Sequence, residues 1–503
     1  MMQRGALPVI GSKVKKQPKT NVSSAGAGDS AELRQHSGNV CLVTLGCAKN
    51  EVDSEVMLGE FLRLGYAPIL DPAQAEIIVV NTCAFLRSAV EESVERIVEL
   101  AQWKKNGRLQ RLIVAGCIVE RYREDLRKAL PEVDQFISTD DLLLAARSSS
   151  TGEDCFDPQR KPHFLYDHRM YRARGAGEPS AYVKIAEGCD RPCAFCIIPK
   201  LRGSYRSRDA GSVMCEVREL LARGVREINL VAQDLTAFGA DLPRTRRTGL
   251  AELLRQLADQ QTVNARFWLR LLYGFPSGIS DDLLSAINDL PYVCKYLDLP
   301  LQHISDAVLQ RMRRPLGEKQ TRKLIERILE RVPGIALRTT FLVGFPGETE
   351  EDVKILEDYV RQGLFAHAGV FAYSPEPEAP AHNLPDQIPE AAGSERRGRI
   401  MECQQAVVAR RLAHYPGTRV EVLIEGAHSE TDLLLAGRCA WQAPETDGEV
   451  IINEVDEPLL AGAEHLPEDC FRGQFGIVEI TAAAGYDLVG RLLSVSQNQA
   501  GKV

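Results

Sequence analysis

The chain has 503 residues, 44% of them hydrophobic and 26% charged, with 69 acidic side chains against 61 basic ones and a net charge of −8. This is the composition of an ordinary folded protein with room for two to four domains, and no apolar run reaches the length of about 18 residues that a membrane-spanning helix needs. Thirteen cysteines without regular pairing point away from a secreted disulfide scaffold and toward thiolate ligands in a reducing, cytoplasmic compartment.

Residues 1–38 are rich in Ser, Gly, Ala and Lys and lack apolar periodicity, so a disordered basic tail is expected. Its apolar stretch is too short for a secretory signal. From 39 to 147 strand-like and helix-like patterns alternate. NVCLVTLGC (39–47), EIIVVNTC (76–83) and RLIVAGC (111–117) are apolar runs, with the helix-periodic stretches 55–65 and 88–105 between them. That alternation predicts a parallel sheet with crossover helices. Cys47, Cys83 and Cys117 each close one strand. In an open parallel sheet the C-terminal strand ends share one edge, where ligands bind, so three cysteines distant in sequence can meet there. Three unrelated core cysteines would give the same list.

Residues 148–178 are polar and rich in turn formers, as a linker would be. A second series of strand and helix patterns fills 179–413 and opens on YVKIAEGCDRPCAFCIIPKLRGSYR (182–206). Here Cys189, Cys193 and Cys196 follow a strand and a glycine turn in a C-x3-C-x2-C pattern. A structural zinc site takes four ligands and a ferredoxin-type cubane four cysteines. Three thiolates in one loop therefore suggest a four-iron cluster with one iron left open.

The following strands (226–234, 265–273, 296–301, 335–345 and 368–374) predict an incomplete parallel barrel, with its active site at the C-terminal mouth. Gln233 and Asp234, Gln302 and His303, and the turn Gly344 to Glu348 lie at those strand ends. GFPGE is also the pattern of an ordinary turn before a helix, and His303 that of a structural histidine. Residues 414–491 change character: short β-type runs separated by turns predict a small β-barrel, in which four arginines face fifteen acids. Such a surface disfavours nucleic acid and either serves solubility or suits a basic partner. Residues 492–503 read as a tail.

Taken together, LGCAKNEVDSE, NTCAFLRSAVEESVE, AGC, GCDRPCAFCIIPKLRGSYRSR, LDLPLQHISDAVLQRMRR and RTTFLVGFPGETEED resemble the methylthiotransferase family of radical S-adenosylmethionine (SAM) enzymes. The resemblance implies an α/β multidomain chain: a flavodoxin-like methylthiotransferase domain (39–147), a partial (β/α) radical SAM barrel (179–413) and a C-terminal TRAM β-barrel (414–491). It implies two [4Fe-4S] clusters, one on Cys47, Cys83 and Cys117 and one on Cys189, Cys193 and Cys196, with SAM as methyl donor and radical source. SAM would be held by Phe195, Gln233, Asp234, Gln302, Gly344, Gly347 and Glu348.

One branch of the family modifies an adenosine of transfer RNA, the other the β-carbon of an aspartate in ribosomal protein S12. CIIPKLRGSYRSR, WLRLLYGFP, PLQHISD and VFAYSPEPEAPA look like the second. Expected partners are S12, free or in the small subunit, and an electron donor such as flavodoxin or ferredoxin. Ala48 and Ala84 depart from the family pattern without replacing a ligand. Arg202, Arg206 and Arg208 leave the cluster loop, either as substrate or SAM contacts or as solvated side chains. An iron-sulfur electron carrier that leaves SAM intact is the non-enzymatic alternative.

Overall fold

A computed structural model describes residues 38–122, 124–147, 162–175, 177–258, 266–460 and 471–496. The tail at 1–37, residues 148–161 and 176 of the expected linker, and the last residues lie outside them. The chain forms two compact units.

The first unit is a five-stranded sheet in the order β2-β1-β3-β4-β5, with β1 at Asn39–Thr44, β2 at Ala67–Pro68, β3 at Ile77–Thr82, β4 at Arg111–Gly116 and β5 at Gln135–Ile137. Every pairing is parallel. The inner strands β3 and β4 are short and apolar because both faces are covered; all six residues of β3 and five of six in β4 are buried. This is the flavodoxin-like strand order, whose switch point between β1 and β3 opens a crevice beyond the strand ends. Helix α1 (Ala48–Arg63) follows β1, α2 (Arg87–Ala101) follows β3, and α3 (Cys117–Tyr122) follows β4.

The second unit opens with six parallel strands: β6 (Ser180–Lys184), β7 (Glu227–Val231), β8 (Trp268–Leu271), β9 (Tyr296–Asp298), β10 (Ala336–Val343) and β11 (His367–Ala372). They pair as β8-β7-β6 and β9-β10-β11, and a parallel bridge between Leu269 and Val293 joins the two groups. The result is an open barrel whose core holds Val183, Leu230, Leu269, Leu297, Phe341 and Val370. Helix α4 (Glu390–Leu412) packs on it; Gly393 of this helix comes so close to Gly344 that a Cβ on Gly344 would lie 2.9 Å from the Gly393 Cα.

The C-terminal strands β12 (Arg419–His428), β13 (Thr431–Arg438), β14 (Val450–Val455), β15 (Phe475–Ala484) and β16 (Asp487–Val495) close into a barrel in the order β12-β13-β14-β16-β15. Val420, Val422 and Ile424 alternate into its core with Val478, Ile480 and Leu492. This small barrel is joined to the N-terminal end of the large one by buried charges. Glu227 accepts from Arg270 (2.9 Å) and from Arg438, all three buried. Asp447 accepts from the Tyr296 hydroxyl (2.6 Å) and lies 3.2 Å from the Arg338 Nε. Burial opposes ionisation of Glu227, but the two arginines outweigh it and hold the carboxyl down at about 2.

Part of the acidity read as a partner surface is engaged in pairs within the chain. Besides Asp447, Glu425 pairs with Arg438, Glu421 with Arg266, and Glu479 with Arg491. Glu430, Asp432 and Glu454 remain exposed.

Candidate active site

The first three cysteines stand where the parallel sheet puts them. Cys47 is the N-cap of α1, Cys83 follows β3, and Cys117 opens α3. Gly46, at φ +94°, turns the chain into α1. A Cβ there would lie 2.7 Å from the Cys83 Cβ and 3.2 Å from its Sγ, so only glycine leaves the Cys83 thiol its place.

Two asparagines, both buried, stitch these loops together. Asn50 donates to the carbonyls of Leu45 (2.8 Å) and Thr82 (2.9 Å), and Asn81 donates to the carbonyl of Asn50 (2.9 Å). Gly116 at φ +96° gives Asn81 room, since a Cβ there would be 2.5 Å from the Asn81 Oδ1.

The second set hangs from β6. Gly188, at φ +79°, passes under residues 203–204, with no space for a side chain: a Cβ would meet the Ser204 carbonyl at 2.2 Å. The Cys189 N–H bonds the Gly203 carbonyl (3.2 Å), the Cys196 N–H that of Cys193 (3.2 Å), and the Ala194 N–H that of Met312 (3.0 Å). A short antiparallel ribbon, Ala186–Glu187 against Arg206–Ser207, clamps the base of the loop. The sulfurs receive donors: Arg191 N–H to the Cys189 Sγ (3.5 Å), Ile198 N–H to the Cys196 Sγ (3.4 Å) and the Arg314 guanidinium to the Cys193 Sγ (3.6 Å).

Burial, above all, pushes the Cys189 thiol up to about 11 and the Cys196 thiol up to about 12. Without iron these two thiols stay protonated at neutral pH, and binding iron would expel their protons. Soft, clustered thiolates with N–H donors on sulfur suit an iron-sulfur cluster. Among the described residues no three His, Cys, Asp or Glu side chains gather tightly enough for a single metal ion; a cubane places each thiolate on a separate iron and tolerates a wider set.

The polar residues at the mouth are more engaged than their spacing suggests. Asp234 accepts from the Arg191 Nε (2.7 Å) and caps the turn at Thr236 (3.0 Å). Gln233 gives its amide nitrogen to Glu187, a buried carboxylate also held by Lys184 and Arg202, leaving its Oε1 buried without a partner. Gln302 adopts φ +75° while its N–H and carbonyl still bond Thr340 (2.8 Å) and Leu342 (2.6 Å). Tyr273, also at positive φ, follows the end of β8. Strain of this kind costs about 1–3 kcal/mol per residue and concentrates at functional sites.

Phe195 packs beside Met312, Leu342 and Phe345. Glu348 turns inward, its Oε1 accepting from the Gly344 N–H (2.9 Å) and from Arg396 (2.9 Å), while Gly347 lies beneath the Arg311 side chain. His303 accepts at Nδ1 from the Ser305 N–H (3.0 Å), which leaves its proton on Nε2, 3.7 Å from the Glu348 Oε2. Burial holds this imidazole down at about 4.

Of the three arginines leaving the loop, Arg208 is buried against Glu216 and stacks on Tyr166, and Arg202 is buried near Glu187. Arg206 donates to the carbonyls of Ser204 (2.6 Å) and Arg202 (3.1 Å). Sequence reasoning missed Asn50, Asn81, Glu187 and Arg314. Only the glycines beside the cysteines signal them, by marking where backbone runs close.

Three family models match consecutive parts of the chain: Uncharacterized protein family UPF0004 at 39–138, the Radical SAM superfamily at 183–360 and the TRAM domain at 417–493. Ribosomal protein uS12 methylthiotransferase RimO of Anaeromyxobacter sp. (strain K) is 47% identical over 92% of this chain and 95% of that protein. The chain belongs to the RimO family.

RimO proteins of Syntrophotalea carbinolica (45% identical, 93% of this chain and 99% of that protein) and Geobacter sulfurreducens (43%, 90% and 98%) are similarly related. Among solved structures, the radical S-adenosylmethionine methyltransferase TsrM from Kitasatospora setae, with cobalamin and [4Fe-4S] cluster bound, shares the fold at a TM-score of 0.50. It is 17% identical and covers 69% of this chain and 77% of that one. As a RimO-family member the chain is a radical SAM methylthiotransferase with [4Fe-4S] clusters and SAM as cofactors. No helix among the described residues is long and apolar enough to cross a membrane.

Proposed function

We propose that the protein methylthiolates the β-carbon of an aspartate in ribosomal protein S12. The observation that carries this reading is the pair of incomplete thiolate sets, each at the C-terminal end of a parallel sheet, in a chain of the RimO family. Cys189, Cys193 and Cys196 would hold the cluster that binds SAM, and Cys47, Cys83 and Cys117 the cluster that handles sulfur. When bound, these cofactors supply reductive cleavage of SAM to a deoxyadenosyl radical and the delivery of a methylated sulfur.

The chain's own residues fix and shield these groups. Gly188 and the ribbon pairing 186–187 with 206–207 fix the base of the loop that carries the three cysteines. SAM would lie against Phe195, Gln233, Asp234 and Gln302 and along the backbone of Gly344, Gly347 and Glu348. The buried Gln233 Oε1 suits an ammonium donor, and Glu187, able only to accept, fixes that amide the right way round. The domain limits follow the sequence reading, with a linker at 148–178. The exposed Glu430, Asp432 and Glu454 favour a basic protein over RNA as the docking partner. A low-potential one-electron donor such as flavodoxin or ferredoxin would reduce the clusters.

Co-expression with S12 tests the reading. Intact mass should place one methylthio group on S12, and nucleoside analysis of transfer RNA should show no change. A methylthio nucleoside with unmodified S12 would assign the chain to the other branch.

A further inference from the structure

Arg314 follows a short helix, Asp306–Arg311, through Arg313 at φ +56°, a left-handed conformation in a residue that has a side chain. The turn sends the Arg314 side chain inward. One arm of its guanidinium donates to the Pro300 carbonyl at 2.6 Å, and the other reaches the Cys193 Sγ at 3.6 Å. Its plane packs on Phe275, 4.2 Å from the ring centroid, and the Arg191 guanidinium lies at the same distance from the same ring. Arg191 is neutralised by Asp234 at 2.7 Å. Arg314 has no ion pair among the described carboxylates. Its one sulfur contact is a proposed cluster ligand.

A fixed cation beside a cluster thiolate acts on the cluster's charge. One-electron reduction makes the iron-sulfur-thiolate assembly more negative by one unit, and hydrogen bonds and charges at the sulfurs are a main determinant of cluster potential. A guanidinium held by a carbonyl and an aromatic face cannot swing away to compensate, so its field is present before and after the electron arrives.

We infer that Arg314 tunes the reduction potential of the cluster on Cys189, Cys193 and Cys196, favouring the reduced form by donating to the Cys193 sulfur. The electron comes from a low-potential one-electron donor, and no proton need move. Phe275 is the positioning residue that holds the guanidinium in place. The inference rests on the assignment of these three cysteines as cluster ligands.

The test uses the full chain with Cys47, Cys83 and Cys117 changed to alanine, reconstituted anaerobically with iron and sulfide, so that one cluster reports alone. Iron content is measured first, then the midpoint potential by EPR-monitored titration with dithionite, for Arg314, Arg314→Gln and Arg314→Lys. With iron retained, Arg314→Gln should reduce about tenfold less favourably, a fall of about 59 mV for a one-electron couple, and Arg314→Lys should stay near the parent. Equal midpoints for Arg314 and Arg314→Gln would overturn the inference.

If Arg314→Gln fails to hold iron, the lysine variant decides. A midpoint near the parent supports a charge effect, and one lowered about tenfold contradicts it. Absence of iron from the Arg314 parent itself would overturn the ligand assignment, and the inference with it.

Discussion

On the proposed ligand assignment Cys189 and Gly46 belong to different clusters, and changing them one at a time separates the two. Cys189→Ala should lower reconstituted iron from about eight to about four atoms per chain and abolish cleavage of SAM; a variant that still cleaves SAM under reduction would contradict the assignment. Gly46→Ala drives a methyl group into Cys83 and imposes a left-handed backbone on alanine, at about 1–2 kcal/mol for the backbone alone. Iron at the first cluster should be lost while SAM cleavage persists.

His303 gives a pH signature. Its folded value of about 4 lies below the usual 6.5, so the unfolded chain takes up the proton more readily. The stability it lends is complete above pH 6.5 and declines as pH falls from 6.5 to 4, by an amount on the order of 3 kcal/mol. His303→Gln should flatten the fall in thermal midpoint between pH 7 and pH 5; an unchanged slope would show that the imidazole is not the titrating group.

At this scale the sequence exposed Cys189, Cys193 and Cys196 by their spacing, and Cys47, Cys83 and Cys117 by their place at the ends of apolar strands. Asn50, Asn81, Glu187 and Arg314 stayed hidden because a polar residue's burial depends on partners far along the chain, such as Arg314 with Pro300 and Cys193. The turn Gly344 to Glu348 held more than its pattern announced: Gly344 abuts Gly393, and the Glu348 carboxylate bonds back to Gly344 and Arg396.

Among the elements, apolar runs such as Ile77–Thr82 and Ala336–Val343 were legible because strands buried on both faces can be made of little else. Helix α4 was not, since only Gly393, Ile400, Gln404, Val407 and Val408 of its residues are buried and two of those are not apolar. The acidic β-barrel was legible as a barrel, but which of its acids are engaged within the chain was not. Asp447 and Glu425 meet arginines that the strand pattern could not reveal.

Removing one of those arginines should be costly. Arg438→Ala leaves the buried Glu227 with Arg270 as its remaining cation and the Ser180 hydroxyl as a second donor, and breaking a buried pair this way costs about 3–5 kcal/mol. Urea or thermal unfolding should register the loss while iron content per folded chain stays unchanged. Because Glu227 is held near 2, below its usual 4.5, its contribution is complete above pH 4.5 and is lost as pH falls toward 2. The difference between parent and Arg438→Ala should therefore shrink in that acid window; a constant difference would mean that the charge pair is not its source.

Over the whole molecule, one rule of parallel sheets accounts for both thiolate sets. Strands that run the same way put their C-terminal ends on one edge, and the loops leaving that edge carry Cys47, Cys83 and Cys117 in the first unit and Cys189, Cys193 and Cys196 in the second. The order of these units was legible from alternating patterns. The part of the expected linker at 162–175 looked solvated because it lacks periodicity, yet Tyr166 bonds Glu216 (3.1 Å) and Arg172 bonds Glu55 (2.8 Å); irregular backbone can be packed without announcing itself in a hydrophobic period. The most direct test of the account is the intact mass of S12 co-expressed with this protein under iron-replete, low-oxygen conditions. The account predicts a gain equal to one methylthio group replacing one hydrogen, located on an aspartate and absent when Cys47 or Cys189 is replaced by alanine. S12 of unchanged mass beside a protein carrying both clusters and cleaving SAM would contradict it.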